Sequence, residues 1–251
     1  MPHPVHSENV QKLVSKQVTL WDLKRQSDQA RRRNGRGEVG RLAFGPYLLI
    51  SREKGSGGLK VAEIVGSHLG WPVFDRQIVE EIGRQAHVRE QLVESLDERA
   101  RGILDDLIRE MLLKDEMVTD SYFHNLKKVI LMLGHQGDVV IVGRGAEFVL
   151  PGEFGLRIRL VAPLAVRIER IRELLGLSLE AAREDVLKTD RERAEFVRRH
   201  FARQVGGHLN YDLVINTGAF GIELAAEMVL AAPGHKLGVT PEPARLAVGV
   251  K

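Results

Sequence analysis

The chain has 251 residues, no cysteine, 43% hydrophobic and 28% charged residues, and a formal net charge of +3. Such an apolar fraction sustains a buried core and excludes global disorder, while the absent cysteines exclude a disulfide scaffold, a thiol nucleophile and a thiolate zinc site. No apolar run approaches membrane-spanning length and the N-terminus lacks a secretory signal pattern, so the expectation is a soluble cytoplasmic protein with no membrane partner.

The net charge conceals two basic blocks. Residues 24–41 hold seven Lys/Arg against two acids, and residues 157–203 hold twelve against eight. The first block lies in an arm. Val10, Leu13, Val14, Val18 and Trp21 recur at helical spacing, and a basic, glycine-containing linker then runs to Gly45 and Pro46. The arm has no interleaved aromatics for base stacking, so nucleic acid is not the expected partner.

From residue 46 the texture is that of a folded domain. Tyr47-Leu-Leu-Ile50 is a continuous apolar run, as a buried parallel strand should be. Gly55-Ser-Gly-Gly58 follows, then a helix through Val61, Ala62, Ile64, Val65 and Leu69 that Gly70 stops. Pro72-Val-Phe-Asp75 reads as a second strand. Residues 76–136 read as a helical insertion, with Leu92, Leu96, Ile103, Leu107 and Met111 spaced by three, four or seven. That insertion offers a surface for a second copy of the chain, and the oligomeric state stays open. Val139-Val-Ile-Val142 is a third strand, ending in Gly143-Arg-Gly145, and Leu156 to Val161 is a fourth. Pro163 starts a helix, and Ser178 caps the arginine-rich helix after it. Leu179, Ala182, Val186, Ala194, Val197 and Phe201 form its candidate core face. Tyr211 to Asn216 is the last strand, a helix covers about 221–232, and residues 233–251 read as a loose tail.

Alternating strands and helices imply an α/β fold, a parallel sheet flanked by helices, with ligands beyond the carboxyl ends of the strands. Ser51 to Gly58, Asp75, Gly143 to Gly145 and the segment after Val161 then share one rim. The strand, glycine loop and helix at 50–58 suit a phosphate, because glycine backbones turn several N–H groups toward one anion at a helix N-terminus. The loop departs from the P-loop pattern of Gly, four residues, Gly, Lys and Ser/Thr: no lysine directly follows its last glycine and no hydroxyl residue follows to hold magnesium. The histidines show no metal-ligand spacing, so no protein metal site is expected.

Six ordered segments, Ile50-Ser-Arg-Glu-Lys-Gly-Ser-Gly-Gly58 with Leu69 to Asp75, Val140 to Ala146, Ala162 to Arg170, Asp190 to Ala194 and Tyr211 to Thr217, resemble the cytidylate kinase-like family. That family lies within the P-loop nucleoside monophosphate kinases, and the resemblance covers roughly residues 47–230. It implies a P-loop kinase-like sheet with an arginine-rich lid at about 178–203, and transfer of phosphate from ATP with Mg2+ to a nucleoside monophosphate such as CMP or dCMP.

By the same resemblance, Gly55, Ser56, Gly57 and Gly58 bind the donor phosphates, and Arg144, Arg191 and Arg193 are catalytic. Asp75, Arg144, Arg167 and Arg170 belong to the acceptor site. Lys60, Lys54 or Arg52 supplies the cation that Gly58 lacks. The residues also allow plainer roles: Asp75 as a helix cap, and Arg191 and Arg193 as members of a solvated charged face. Two rival functions stay open, a non-catalytic nucleotide-binding or regulatory protein on the same fold, and a nucleic-acid-associated protein acting through the arm.

Overall fold

The structure, a computed structural model, describes residues 44–84, 102 and 121–237. The expected arm helix and its linker up to residue 43, residues 85–101 and 103–120 of the expected insertion, and residues 238–251 of the expected tail lie outside the described residues.

Among the described residues, five strands build one parallel sheet in the order β2-β3-β1-β4-β5. They are β1 (Tyr47–Arg52), β2 (Val73–Phe74), β3 (Val139–Val142), β4 (Gly155–Val161) and β5 (Leu213–Asn216). β1 is central, with Leu48 opposite Val140 on one side and Leu156 on the other. Covered on both faces, it has no use for polar alternation, which is why its sequence is a continuous apolar run. Its side chains still point alternately. Tyr47 and Leu49 enter one core with Phe74, Ile82, Phe123, Ile130 and Ile141, and Leu48 and Ile50 enter the opposite core with Val61, Val65, Val142, Ile158 and Val229.

The first core is roofed by α2 (Arg76–Arg84), α3 (Ser121–Gln136) and α4 (Ala146–Val149), the second by α1 (Gly58–Leu69) and α7 (Thr217–Leu237). α5 (Leu164–Leu175) and α6 (Leu179–Phe201) form a hairpin with its own cluster of Ile168, Ile171, Ala182 and Val186. The Ser178 hydroxyl accepts the Ala181 N–H at 3.2 Å, so the expected cap is present. On α6, Ala182, Val186 and Val197 are buried, but Leu179, in the first turn, is 54% exposed and belongs to no core face.

Five details differ from the expected pattern. β1 runs past Ile50 to Arg52, because Arg52 still pairs with Leu160 of β4. β2 is only Val73 and Phe74, and the short α4 has too few residues to show periodicity. β5 begins at Leu213, since Tyr211 follows a 3-10 turn at His208–Asn210. The last helix continues through Pro233 to Leu237, although residues from 233 were expected in a loose tail. Lys236 holds Asp212 at 2.7 Å and Leu237 packs on the second core, and these contacts anchor the final turn despite the donor that proline removes.

Candidate functional site

The carboxyl ends of β1, β3 and β4 open on a pocket of about 230 Å³. It is lined by Ser51 and Arg52 from β1, Arg76 at the start of α2, the turn Gly143 to Gly145, Glu147 of α4, Arg159 of β4 and Arg193 with Phe196 of α6. Five arginines from separate parts of the chain therefore converge on one cavity.

Local geometry explains each position. Gly143, Arg144 and Gly145 all have positive φ, at 82°, 60° and 67°. The two glycines adopt this backbone without cost, whereas Arg144 is held there by its side chain. Its guanidinium pairs with Glu80 and lies 4.8 Å from the centre of the Phe196 ring. The Arg144 Nε is buried with no hydrogen-bond partner among the described residues. Arg193 donates to the Arg52 carbonyl at 3.0 Å, which ties α6 to the end of β1 beside the pocket. Arg159 donates to Ser51 Oγ at 2.9 Å, and the Tyr211 hydroxyl lies 3.2 Å from that oxygen and 3.4 Å from Glu147 Oε1.

The charges strain one another. Burial, then repulsion from Arg193 and Arg144, lowers the Arg52 guanidinium to about 9, with Asp75 and Glu147 opposing the shift. Burial, then Arg76 and Arg193, lowers Arg144 to about 10. Arg193 is lowered by burial and by Arg76 and Arg159, against the pull of Asp190. Burial raises the Glu147 carboxyl despite Arg159, Ser51 and Tyr211. A cavity in which several cations are each disfavoured is arranged for an anion with more than one charge.

The glycine loop adjoins this pocket and is braced from behind. Gly57, with φ of 77°, is the N-cap of α1, so the loop delivers its backbone to a helix N-terminus. Ser56 is fully buried, its hydroxyl donating to the Glu53 carbonyl at 2.9 Å while its own carbonyl accepts from Thr217 at 2.7 Å. Asp190 of α6 accepts the Lys54 N–H at 2.8 Å and pairs with Arg167.

The residues singled out from sequence fall into three groups. Arg52, Arg144 and Arg193 are together in the pocket. Gly55, Ser56, Gly57 and Gly58 form the loop and the start of α1. Of the proposed loop cations, Lys54 is instead paired with Asp185 at 3.3 Å, and Lys60 is 63% exposed and 3.8 Å from Glu63 on the outer face of α1.

The third group lies elsewhere. Arg167 binds Glu53 at 3.2 Å and the Lys54 carbonyl at 3.2 Å, while Arg170 binds the Thr217 hydroxyl and carbonyl at 3.0 and 2.9 Å. Both arginines clamp the back of the loop and do not line the pocket. Arg191 is exposed and does not line it either. Asp75 accepts the Ile78 N–H at 3.0 Å, which is the capping role, while its charge acts on nearby Arg52. Sequence reasoning gave no role to Arg76, Arg159, Glu147, Phe196, Asp190 or Thr217. For Arg159 a signal existed: an arginine in a strand buried on both faces needs a partner or a ligand.

The model of the cytidylate kinase-like family matches residues 48–219, more than half of the chain. A cytidylate kinase from Ignicoccus hospitalis is 29% identical over 190 residues, covering 72% of this chain and 95% of that protein. A uronate isomerase from Corynebacterium glutamicum is 38% identical over 98 residues, but the match spans 39% of this chain and only 19% of the isomerase. The crystal structure of an uncharacterized protein from Eubacterium ventriosum aligns with a TM-score of 0.52 at 19% identity, over 74% of this chain and 96% of that one, a likeness of fold.

Proposed function

Because the chain belongs to the cytidylate kinase-like family, we propose that it transfers the γ-phosphate of ATP to the phosphate of CMP, dCMP or a related nucleoside monophosphate. The observation that supports this reading is the convergence of Arg52, Arg76, Arg144, Arg159 and Arg193 on one pocket beside the glycine loop. In such a transfer an acceptor phosphate oxygen attacks the γ-phosphorus in line, the bond to the ADP oxygen breaks, and negative charge spreads over the equatorial oxygens. The protein then has to position two polyanions and neutralise them, with little covalent work of its own.

In this scheme the N–H groups of Gly55, Gly57 and Gly58 at the α1 N-terminus receive the donor phosphates, while the Ser56 N–H donates to the Glu53 carbonyl at 3.3 Å. Arg144 and Arg193 face the transferring group, and their forked donors stay charged throughout. α6 acts as the lid that excludes water. The residues present do not fit a protein-held magnesium site. Among the described residues no group of three or more acidic or histidine side chains converges, and Leu59 stands in the place of the magnesium-binding hydroxyl. No step is therefore assigned to a metal bound by the protein.

The test is a phosphoryl-transfer assay with MgATP and a panel of nucleoside monophosphates. Turnover of CMP or dCMP above the others is expected, and absence of turnover with every acceptor refutes the enzymatic reading. Gly58 and Leu59, in place of the usual lysine and hydroxyl, favour a second reading, a nucleotide-binding protein without turnover. Saturable nucleotide binding in the same inactive samples would select it.

A further inference from the structure

We infer that Arg52 is the phosphate-contacting cation of the glycine loop, and that Gly58 is a glycine because Arg52 needs its space. The inference rests on the kinase reading above and assigns the residue that replaces the absent lysine.

The motif itself carries the first argument. In a P-loop the lysine opens the helix, directly after the second glycine. Here α1 opens at residue 58 with Gly57 as its N-cap, so 58 is the lysine's position and 52, six residues earlier, is that of the first glycine. Residue 58 is glycine and residue 52 is arginine. Cation and glycine have exchanged places.

The packing carries the second. A Cβ on residue 58 would stand 2.6 Å from the Cβ and 2.8 Å from the Cγ of Arg52. No flexible tip intervenes; the two stems begin in the same space, and the loop admits one of them. The Arg52 stem, issuing from the paired end of β1, is fixed where a lysine stem at the helix start would otherwise lie. Its guanidinium then crosses the β3 turn. A Cβ on Gly143 would strike Nη1 of Arg52, so that glycine also gives the arginine passage. Arg52 thus lines the pocket together with Arg144 and Arg193.

The alternatives named from sequence do not reach this position. Lys54 is engaged by Asp185 and Lys60 lies on the outer face of α1. The loop is thus not a P-loop that has lost its cation. It presents the cation from the strand instead of from the helix, as a fork with two phosphate-facing donors rather than a single ammonium.

The experiment uses the full chain and four variants: Arg52→Met, which keeps the stem but removes the charge, Arg52→Ala, Gly58→Lys, and the double variant Arg52→Ala/Gly58→Lys. Binding of inorganic tripolyphosphate is measured by calorimetry beside the CMP kinase assay, with circular dichroism as the check of folding. Folded Arg52→Met should bind tripolyphosphate about 10- to 100-fold more weakly, the range expected for losing a charge-assisted contact. Gly58→Lys alone should lose affinity or fold. The double variant should regain at least about tenfold of what Arg52→Ala loses, because the lysine stem then has room.

Affinity of Arg52→Met within about twofold of wild type overturns the inference, as does a double variant no better than Arg52→Ala. Should Arg52→Met not fold, Arg52→Lys and Arg52→Ala take its place, and equal affinity for the two overturns it. Arg52-dependent binding of tripolyphosphate without kinase turnover leaves this assignment standing and refutes the kinase reading. Turnover that Arg52→Met leaves unchanged does the reverse. Wild-type protein that binds no tripolyphosphate overturns both.

Discussion

Replacing Asp190 by alanine should loosen the glycine loop by an amount the structure sets. One carboxylate oxygen accepts the Lys54 N–H at 2.8 Å, and the other pairs with Arg167, which is 8% exposed. Losing the acceptor of a partly buried N–H costs about 1–2 kcal/mol. Stripping a buried arginine of all its partners costs about 3–5 kcal/mol, but Arg167 keeps Glu53 at 3.2 Å, so about 1–2 kcal/mol is the expected share. Together Asp190→Ala should lose about 2–4 kcal/mol in urea unfolding at neutral pH, with an unchanged denaturant slope. Asp190→Asn keeps an acceptor for Lys54 and should lose about half as much. A change below about 0.5 kcal/mol, or equal losses in the two variants, refutes the assignment of Asp190 as the brace of the loop.

Three other outcomes follow from the geometry. Thr217→Val keeps the side-chain shape but leaves the Ser56 carbonyl and one Arg170 donor without their hydroxyl partner; it should lose about 1–3 kcal/mol in urea unfolding and weaken MgATP binding in calorimetry. Asp212 pays a desolvation penalty, but Arg157 and Lys236 still hold its pKa down from 3.8 to about 2. Its stabilisation is complete above 3.8 and disappears as pH falls toward about 2, so Asp212→Asn should lose about 1–2 kcal/mol at neutral pH and match wild type in strong acid. Glu147 has a raised pKa, so the wild type loses stability as pH rises through the carboxylate range. Glu147→Gln should therefore gain stability over wild type at about pH 8 and show the smallest gain near pH 4, measured by the same unfolding series.

The parts of the fold that sequence made legible were those in which one local rule dominated. Val139 to Val142 is apolar because both faces of its strand are covered, and its bounds were readable for that reason. Gly70, Pro163 and Ser178 mark helix ends through backbone chemistry that no neighbour needs to supply. The pocket was legible only in outline. Gly143-Arg-Gly145 announced itself because an arginine between glycines is harder to explain by packing than by a ligand, but Arg76 and Glu147 look like ordinary helix residues until the sheet brings them together. Arg167 and Arg170 lie outside the pocket lining for a related reason. Sequence reveals that a charge exists beside a motif, whereas only the fold decides whether it faces the ligand or the back of the loop. Leu179 was a misplaced core residue because periodicity continues into a first turn that stays exposed among the described residues.

The crowding of guanidiniums at the pocket has a consequence for how its ligand can be found. Before anything binds, the folded state carries repulsion that the unfolded chain does not, and an anion seated among Arg52, Arg144 and Arg193 removes it. Ligand occupancy is thereby linked to the melting temperature, whatever happens to the ligand afterwards. A thermal-shift screen of phosphorylated metabolites would rank the natural occupants of this cavity without assuming that any of them is turned over.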